Sequence, residues 1–185
     1  ASGYGFEAGS LALPDSSKTE TEEYAIKIDW NINEDHRAAL RYNNFEQSVL
    51  RFPLITTTGI SLSSSWYALP KTYETVVGEL FSDWSDNFST EFKIARKDYS
   101  AVRSTFSNLP QIQIRGYGTS NESVFLGTEQ NSHVNIVESQ EDSIFAAGTW
   151  YAGNHTIKGG FDYSKSDILN FFGRNLNGVY VFNNI

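Results

Sequence analysis

The sequence predicts an all-β fold, a section of an antiparallel up-and-down transmembrane β-barrel, and three observations carry that prediction. Apolar and polar residues alternate with period two over long runs, the connections are short at one end and long at the other, and tryptophans sit just before short turns. Composition agrees, since 39% hydrophobic and 15% aromatic content is too rich for a disordered chain. Cysteine and methionine are absent, which excludes disulfide frameworks, thiolate zinc sites and cysteine nucleophiles. Lys and Arg number 14 against 22 Asp and Glu, leaving a net charge of −8 on 185 residues. That balance argues against a nucleic-acid backbone as partner. No run of eighteen apolar residues offers a helical membrane span, and no basic-then-apolar segment at the N-terminus reads as a signal peptide.

The first strand is read from Tyr24, Ile26, Ile28, Trp30 and Ile32, which alternate with Ala25, Lys27, Asp29 and Asn31. After the polar turn Asn33-Glu34-Asp35-His36, alternation resumes with Ala38, Leu40 and Tyr42 against Ala39, Arg41 and Asn43, completing a hairpin. A second hairpin runs through Val76, Gly78, Leu80 and Trp84, turns at Ser85-Asp86-Asn87, and returns through Phe88, Thr90, Phe92 and Ile94 opposite Glu91 and Lys93. The third approaches through Ile144, Ala146, Gly148 and Trp150, turns at Gly153-Asn154, and returns through Ile157, Gly159, Phe161 and Tyr163. With the remaining chain, about seven or eight crossings are expected at ~10 residues each.

Segments 1–21, 44–65 and 103–132 are long and rich in small polar residues, and are expected to be extracellular loops of one barrel domain covering 1–185. Leu176 to Ile185 reads as the start of a further strand whose partner is missing. Short periplasmic turns with long extracellular loops are the signature of an outer-membrane barrel. A soluble sandwich is the competing architecture. Its strands need only ~5–6 residues, however, whereas Glu23 to Ile32 and Ser143 to Gly153 reach the length of a tilted bilayer crossing.

Trp30, Trp84 and Trp150, with Tyr151 beside the last, stand at one height before the turns and are expected to form a membrane-interface girdle. Lys27, Asp29, Asn31, Arg41, Glu79, Glu91, Lys93, Lys158 and Asp162 lie at the alternate positions and are expected to face a lumen. Taken one at a time, each also suits the solvated face of a soluble sheet. Facing lipid instead, an Arg or Lys at midplane would cost ~2–4 kcal/mol.

Catalytic chemistry is not written into the chain. His36, His133 and His155 show no repeated ligand spacing, and nucleophile, zinc and phosphate-loop motifs are absent. The acidic runs Glu20, Glu22, Glu23 and Glu138, Glu141, Asp142 lack the fixed spacing of a calcium loop and read as solvated surface. No enzymatic activity, cofactor or metal is expected.

The run Tyr24-Ala-Ile-Lys-Ile-Asp-Trp-Asn-Ile-Asn-Glu-Asp-His-Arg37 and the run Gly78-Glu-Leu-Phe-Ser-Asp-Trp-Ser-Asp-Asn-Phe-Ser-Thr-Glu-Phe92 resemble the barrel of Oar-like TonB-dependent receptors. Leu109-Pro-Gln-Ile-Gln-Ile114, Leu126-Gly-Thr-Glu-Gln130 and Gly148 to Asp162 extend the resemblance over about residues 20 to 182, in the family's order. It implies a location in the outer membrane of a Gram-negative bacterium, and import of a siderophore, oligosaccharide or peptide driven by the TonB complex. The plug and the energy-coupling box of that family have no counterpart in this sequence. A ~22-stranded barrel needs at least ~220 residues in strands, so the chain is expected to be an internal portion of the barrel wall.

The implied partners are outer-membrane lipid, the remaining barrel and plug of a parent protein, the TonB complex through that parent, and an unknown imported ligand. Trp66, Tyr67, Phe106, Tyr117 and Phe125 in the long loops are candidate ligand contacts, with loop packing as the competing role. Two alternatives differ in class. Exposed strand edges could drive self-association of a released piece into a filament or oligomer, and a small complete eight-stranded barrel would fit the strand count.

Overall fold

The computed structural model describes residues 7–14, 17–116 and 122–183. The elements in chain order are β1 (Glu20–Asn31), β2 (His36–Arg51), β3 (Gly59–Ser61), β4 (Tyr67–Ser85), β5 (Phe88–Val102), β6 (Ser104–Thr105), β7 (Gln111–Arg115), β8 (Ser123–Leu126), β9 (Val134–Ala152), β10 (His155–Gly173) and β11 (Val179–Asn183). Six long strands form an antiparallel meander in the order β1-β2-β4-β5-β9-β10, with β6 attached to β4. Among the described residues β1 and β10 are its edges and do not pair with each other, so the sheet is an open wall.

Alternation explains the six long strands, because each carries two chemically different faces. Three tight turns join them at one end. At Gly153 the backbone has φ +62°, a left-handed conformation that glycine adopts without strain, and the two-residue turn Gly153-Asn154 closes β9 on β10. The β1–β2 turn is held by Asn33, whose Oδ1 accepts from the backbone N–H groups of Asp35 at 2.9 Å and His36 at 2.7 Å.

The strands are longer than a membrane crossing requires. β4, β9 and β10 each have 19 residues, or about 60 Å at ~3.3 Å per residue. Residues 44–51, expected in a loop, continue β2 in register with β4, from Asn44↔Glu74 to Arg51↔Tyr67. The wall therefore projects past its apolar zone at the end opposite the tight turns.

At that end the long connections fold into a second sheet, ordered β11-β7-β8-β3. Its antiparallel pair β7–β8 is flanked by parallel partners, β3 on β8 and β11 on β7. The C-terminal segment thus finds a partner, contrary to expectation: Val179 to Asn183 lie beside Gln111 to Arg115. The N-terminal segment joins as well, since Ser63 N–H donates to Ser10 O at 2.9 Å and Ser64 Oγ donates to Ala8 O at 2.6 Å. Connections before β1, between β2 and β4, between β5 and β9, and after β10 are thereby knitted into one cap.

The protein core is small. Only Trp66, Val77, Ala101, Leu126 and Ala147 are buried apolar residues among those described. The accessible surface of 12325 Å² compares with about 8,900 Å² for a compact monomer of this 20.8 kDa mass. Protein–protein burial cannot hold such a sheet in water, so its apolar face requires another apolar phase.

Candidate functional site

The wall has two faces, and the register assigns every long-strand residue to one of them. On the first, Ile28, Leu40, Gly78, Ile94, Ile144 and Tyr163 form one row across all six strands. The next row toward the tight turns is Trp30, Ala38, Leu80, Phe92, Ala146 and Phe161. These side chains are uncovered by protein; Ile28 keeps 59% and Trp30 63% of its accessible surface.

Trp30, Trp84 and Trp150 stand on this face near the tight turns. Trp84 Nε1 donates to Thr90 Oγ1 at 2.8 Å, and its ring lies 5.0 Å from that of His36. Tyr151 does not share their face: it pairs with Thr156 while Trp150 pairs with Ile157, and successive residues of a strand point to opposite faces. At the other limit the apolar zone ends at Arg96, Asp142 and Lys165, where Arg96 Nε meets Asp142 Oδ1 at 3.0 Å. Beyond it come Glu74, Asp98 and Asp167. From Arg96 to Phe88, the partner of Trp150, is eight residues. That is about 26 Å along a strand and about 20 Å along a normal at ~40° tilt, close to the ~25 Å apolar band of outer-membrane barrels.

The second face carries all nine residues expected in a lumen. Lys27 stands beside Arg41, Asp29 lies in one row with Glu79, Lys93 and Asp162, and Asn31 in one row with Glu91; Lys158 follows beside Thr149. Opposite charges neutralise one another across it: Lys27 to Asp29 at 2.8 Å, Lys93 to Glu79 at 3.5 Å, and Lys97 to Glu141 at 2.8 Å. Lys158 reaches Glu91 at 3.2 Å over β9, where Ala147 leaves room for the lysine stem. These partners are solvent-accessible, so each pair contributes no more than about 1 kcal/mol. Their consequence is a wettable face of balanced charge, with the aromatic row Phe45, Tyr73 and Tyr99 near the cap.

The loop aromatics have different surroundings. Trp66 is 2% exposed, donates Nε1–H to Ser61 Oγ at 3.2 Å and packs edge-on against Phe52, so it is a core residue of the cap and not a ligand contact. Tyr67 is half-buried beneath the Arg103 guanidinium, 4.7 Å from its ring centroid. Phe106 is exposed, and Phe125 is half-buried in β8. Tyr117 lies outside the described residues.

A polar knot that single residues did not announce anchors the cap to the wall. Buried Glu129 accepts from Asn131 N–H at 3.0 Å, Asn131 Nδ2 at 2.6 Å and Ser132 Oγ at 2.8 Å. Arg103 Nη1 donates to Asn131 O and Ser132 Oγ, both at 2.9 Å. His133, which shows no ligand spacing in the sequence, is a joint: Nδ1 accepts from Asn177 N–H at 3.0 Å and Nε2 faces Thr128 O at 3.2 Å. The only signal for this was an unbroken polar run, Thr128 to His133, in which every side chain can hydrogen-bond.

Searches among curated proteins and among solved structures return no significant match. A sheet with one lipid-compatible face, one charge-balanced face and tight turns at one end has the design of an outer-membrane barrel wall. Residues 5–185 match the model of the outer membrane beta barrel domain, and the chain belongs to that family, with its place in the outer membrane.

Proposed function

We propose that the chain forms part of the barrel wall of a TonB-dependent receptor that imports a ligand, a siderophore, oligosaccharide or peptide, into the periplasm of a Gram-negative bacterium. The observation that carries this reading is the open six-stranded wall with a wet inner face. Unpaired strand edges cannot remain in hydrocarbon, so the wall is a section of a closed barrel, with the charged face turned to its interior. The resemblance of several ordered segments to Oar-like receptors supplies the transporter class. The cap stands where an imported ligand would first be met. The test is uptake in intact cells producing the whole parent protein, measured over panels of iron chelates, glycans and peptides. Uptake of one of them that stops when TonB is deleted supports the reading; uptake indifferent to TonB contradicts it.

The two open edges favour one second reading, in which copies of the chain pair edge to edge into a ring or filament. Electron microscopy of the isolated chain in detergent separates the two, since repeating assemblies favour the second and single particles the first.

A further inference from the structure

One face of the cap sheet holds buried polar side chains: Ser61 and Gln111 are buried, Ser61 Oγ donates to Pro53 O at 2.6 Å, and Gln111 Oε1 accepts from Gln130 N–H at 2.8 Å. Its other face carries Ile60, Val124, Ile114 and Phe182, which the register places in one row across all four strands. Ile60 and Phe182 are exposed, although nothing about a polar loop region requires apolar side chains there. Where this row meets Leu11 and Ile55, the surface sinks into a hollow of about 700 Å³. That volume lies within the ~300–1,000 Å³ range of small-molecule sites, and apolar walls with few polar groups are their usual composition.

The polar side chains of the hollow are hydroxyls and one carboxylate. Thr56, Thr57 and Thr58 bring hydroxyls to its rim, and Glu122 is the one charged residue lining it among the described residues. The hydroxyls accept as well as donate. A carboxylate on an otherwise apolar wall favours a cation over a neutral or anionic group.

We infer that this hollow binds a compact apolar molecule bearing an ammonium group, its body on Ile60, Ile114 and Val124 and its charge beside Glu122. Placing the hollow on the ligand-facing side rests on the transporter reading; the binding itself does not. The rigid β7–β8 pair and the interlocked connections hold the walls in place before a ligand arrives, so little ordering entropy opposes binding.

The test uses the whole barrel protein in lipid nanodiscs and three probes sharing one adamantane body with ammonium, hydroxyl or carboxylate at the same carbon. Binding is followed by ligand-observed NMR against empty nanodiscs. The ammonium probe is expected to bind about fivefold more tightly than the alcohol, the most that a solvent-accessible charge pair supports, and the carboxylate least. Glu122→Gln should bring ammonium and alcohol level. Ile60→Asn, which removes apolar wall without adding charge, should weaken binding of all three, and Val124→Trp, which stays apolar but fills the hollow, should abolish it in a protein whose heat-modifiable migration shows an intact barrel. Equal binding of the three probes, no binding at all, or binding unchanged in both blocking variants overturns the inference. If no probe binds while TonB-dependent uptake persists, the inference fails alone; if the probes bind as expected and uptake ignores TonB, the transporter reading fails alone.

Discussion

Leu80 and Glu79 are neighbours in β4 that point to opposite sides of the wall, and exchanging each for arginine should produce very different costs. Leu80 lies in the row of Phe92 and Ala146, two residue pairs from Arg96 and two from the Trp150 row. It is thus about 10 Å from either limit of the apolar zone at ~40° tilt. An arginine there stands at midplane and should cost ~2–4 kcal/mol. Glu79 pairs with Lys93 at 3.5 Å on the wet face. Glu79→Arg loses an exposed pair and gains a like-charge neighbour, together about 1 kcal/mol. Urea titration of the whole barrel in lipid vesicles, followed by fluorescence and by heat-modifiable migration, reads both. Leu80→Arg should fold poorly or lose at least about 2 kcal/mol, and Glu79→Arg should stay close to wild type. Equal costs, or the reverse order, would refute the assignment of faces.

Four further outcomes follow from the same geometry. Gly153→Val should cost about 1–2 kcal/mol from its positive φ alone, since a side chain at this turn meets nothing within 4 Å; Gly153→Asn should cost less, and thermal unfolding of the two variants makes the comparison. Gly160→Ala should be more damaging despite its ordinary φ, because the added carbon would run into Ala146 O and Ala147 of β9; folding yield in vesicles checks this. Glu129→Ala strands the donors of Asn131 and Ser132 and should loosen the cap by about 1–3 kcal/mol, seen as faster hydrogen exchange in β7 and β8 with β9 unchanged. In single-tryptophan proteins, brominated lipids should quench Trp30, Trp84 and Trp150 and leave Trp66 bright, because Trp66 is closed inside the cap.

What could be read from the chain depended on whether a segment borders lipid. Through Ile26, Ile28 and Trp30, or Ile144, Ala146 and Trp150, one face must be apolar and the other wet, and the alternation records that demand in residue order. Past Arg96, Asp142 and Lys165 both faces meet water, so residues 44–51 and 138–142 lose alternation while remaining strand, and the boundary of β2 was placed too early. The cap was hidden for another reason. Its strands β3, β7, β8 and β11 are three to five residues long and are paired across distant parts of the chain, so no local period reports them. Trp66 illustrates the hazard. An aromatic among serines looks exposed, yet one of those serines, Ser61, is its buried hydrogen-bond acceptor. Tyr151 was grouped with Trp150 by adjacency, yet the next residue along one strand faces the other way.

The central claim is that the wall separates lipid from water, and neighbouring positions on β1 test it most directly. Spin labels placed singly at Ile28 and Lys27 in the whole barrel, reconstituted in lipid, can be challenged with oxygen, which concentrates in hydrocarbon, and with a water-soluble nickel chelate. Ile28 should be relaxed by oxygen and shielded from nickel, and Lys27 the reverse. Equal access of the nickel chelate to both positions would contradict the account.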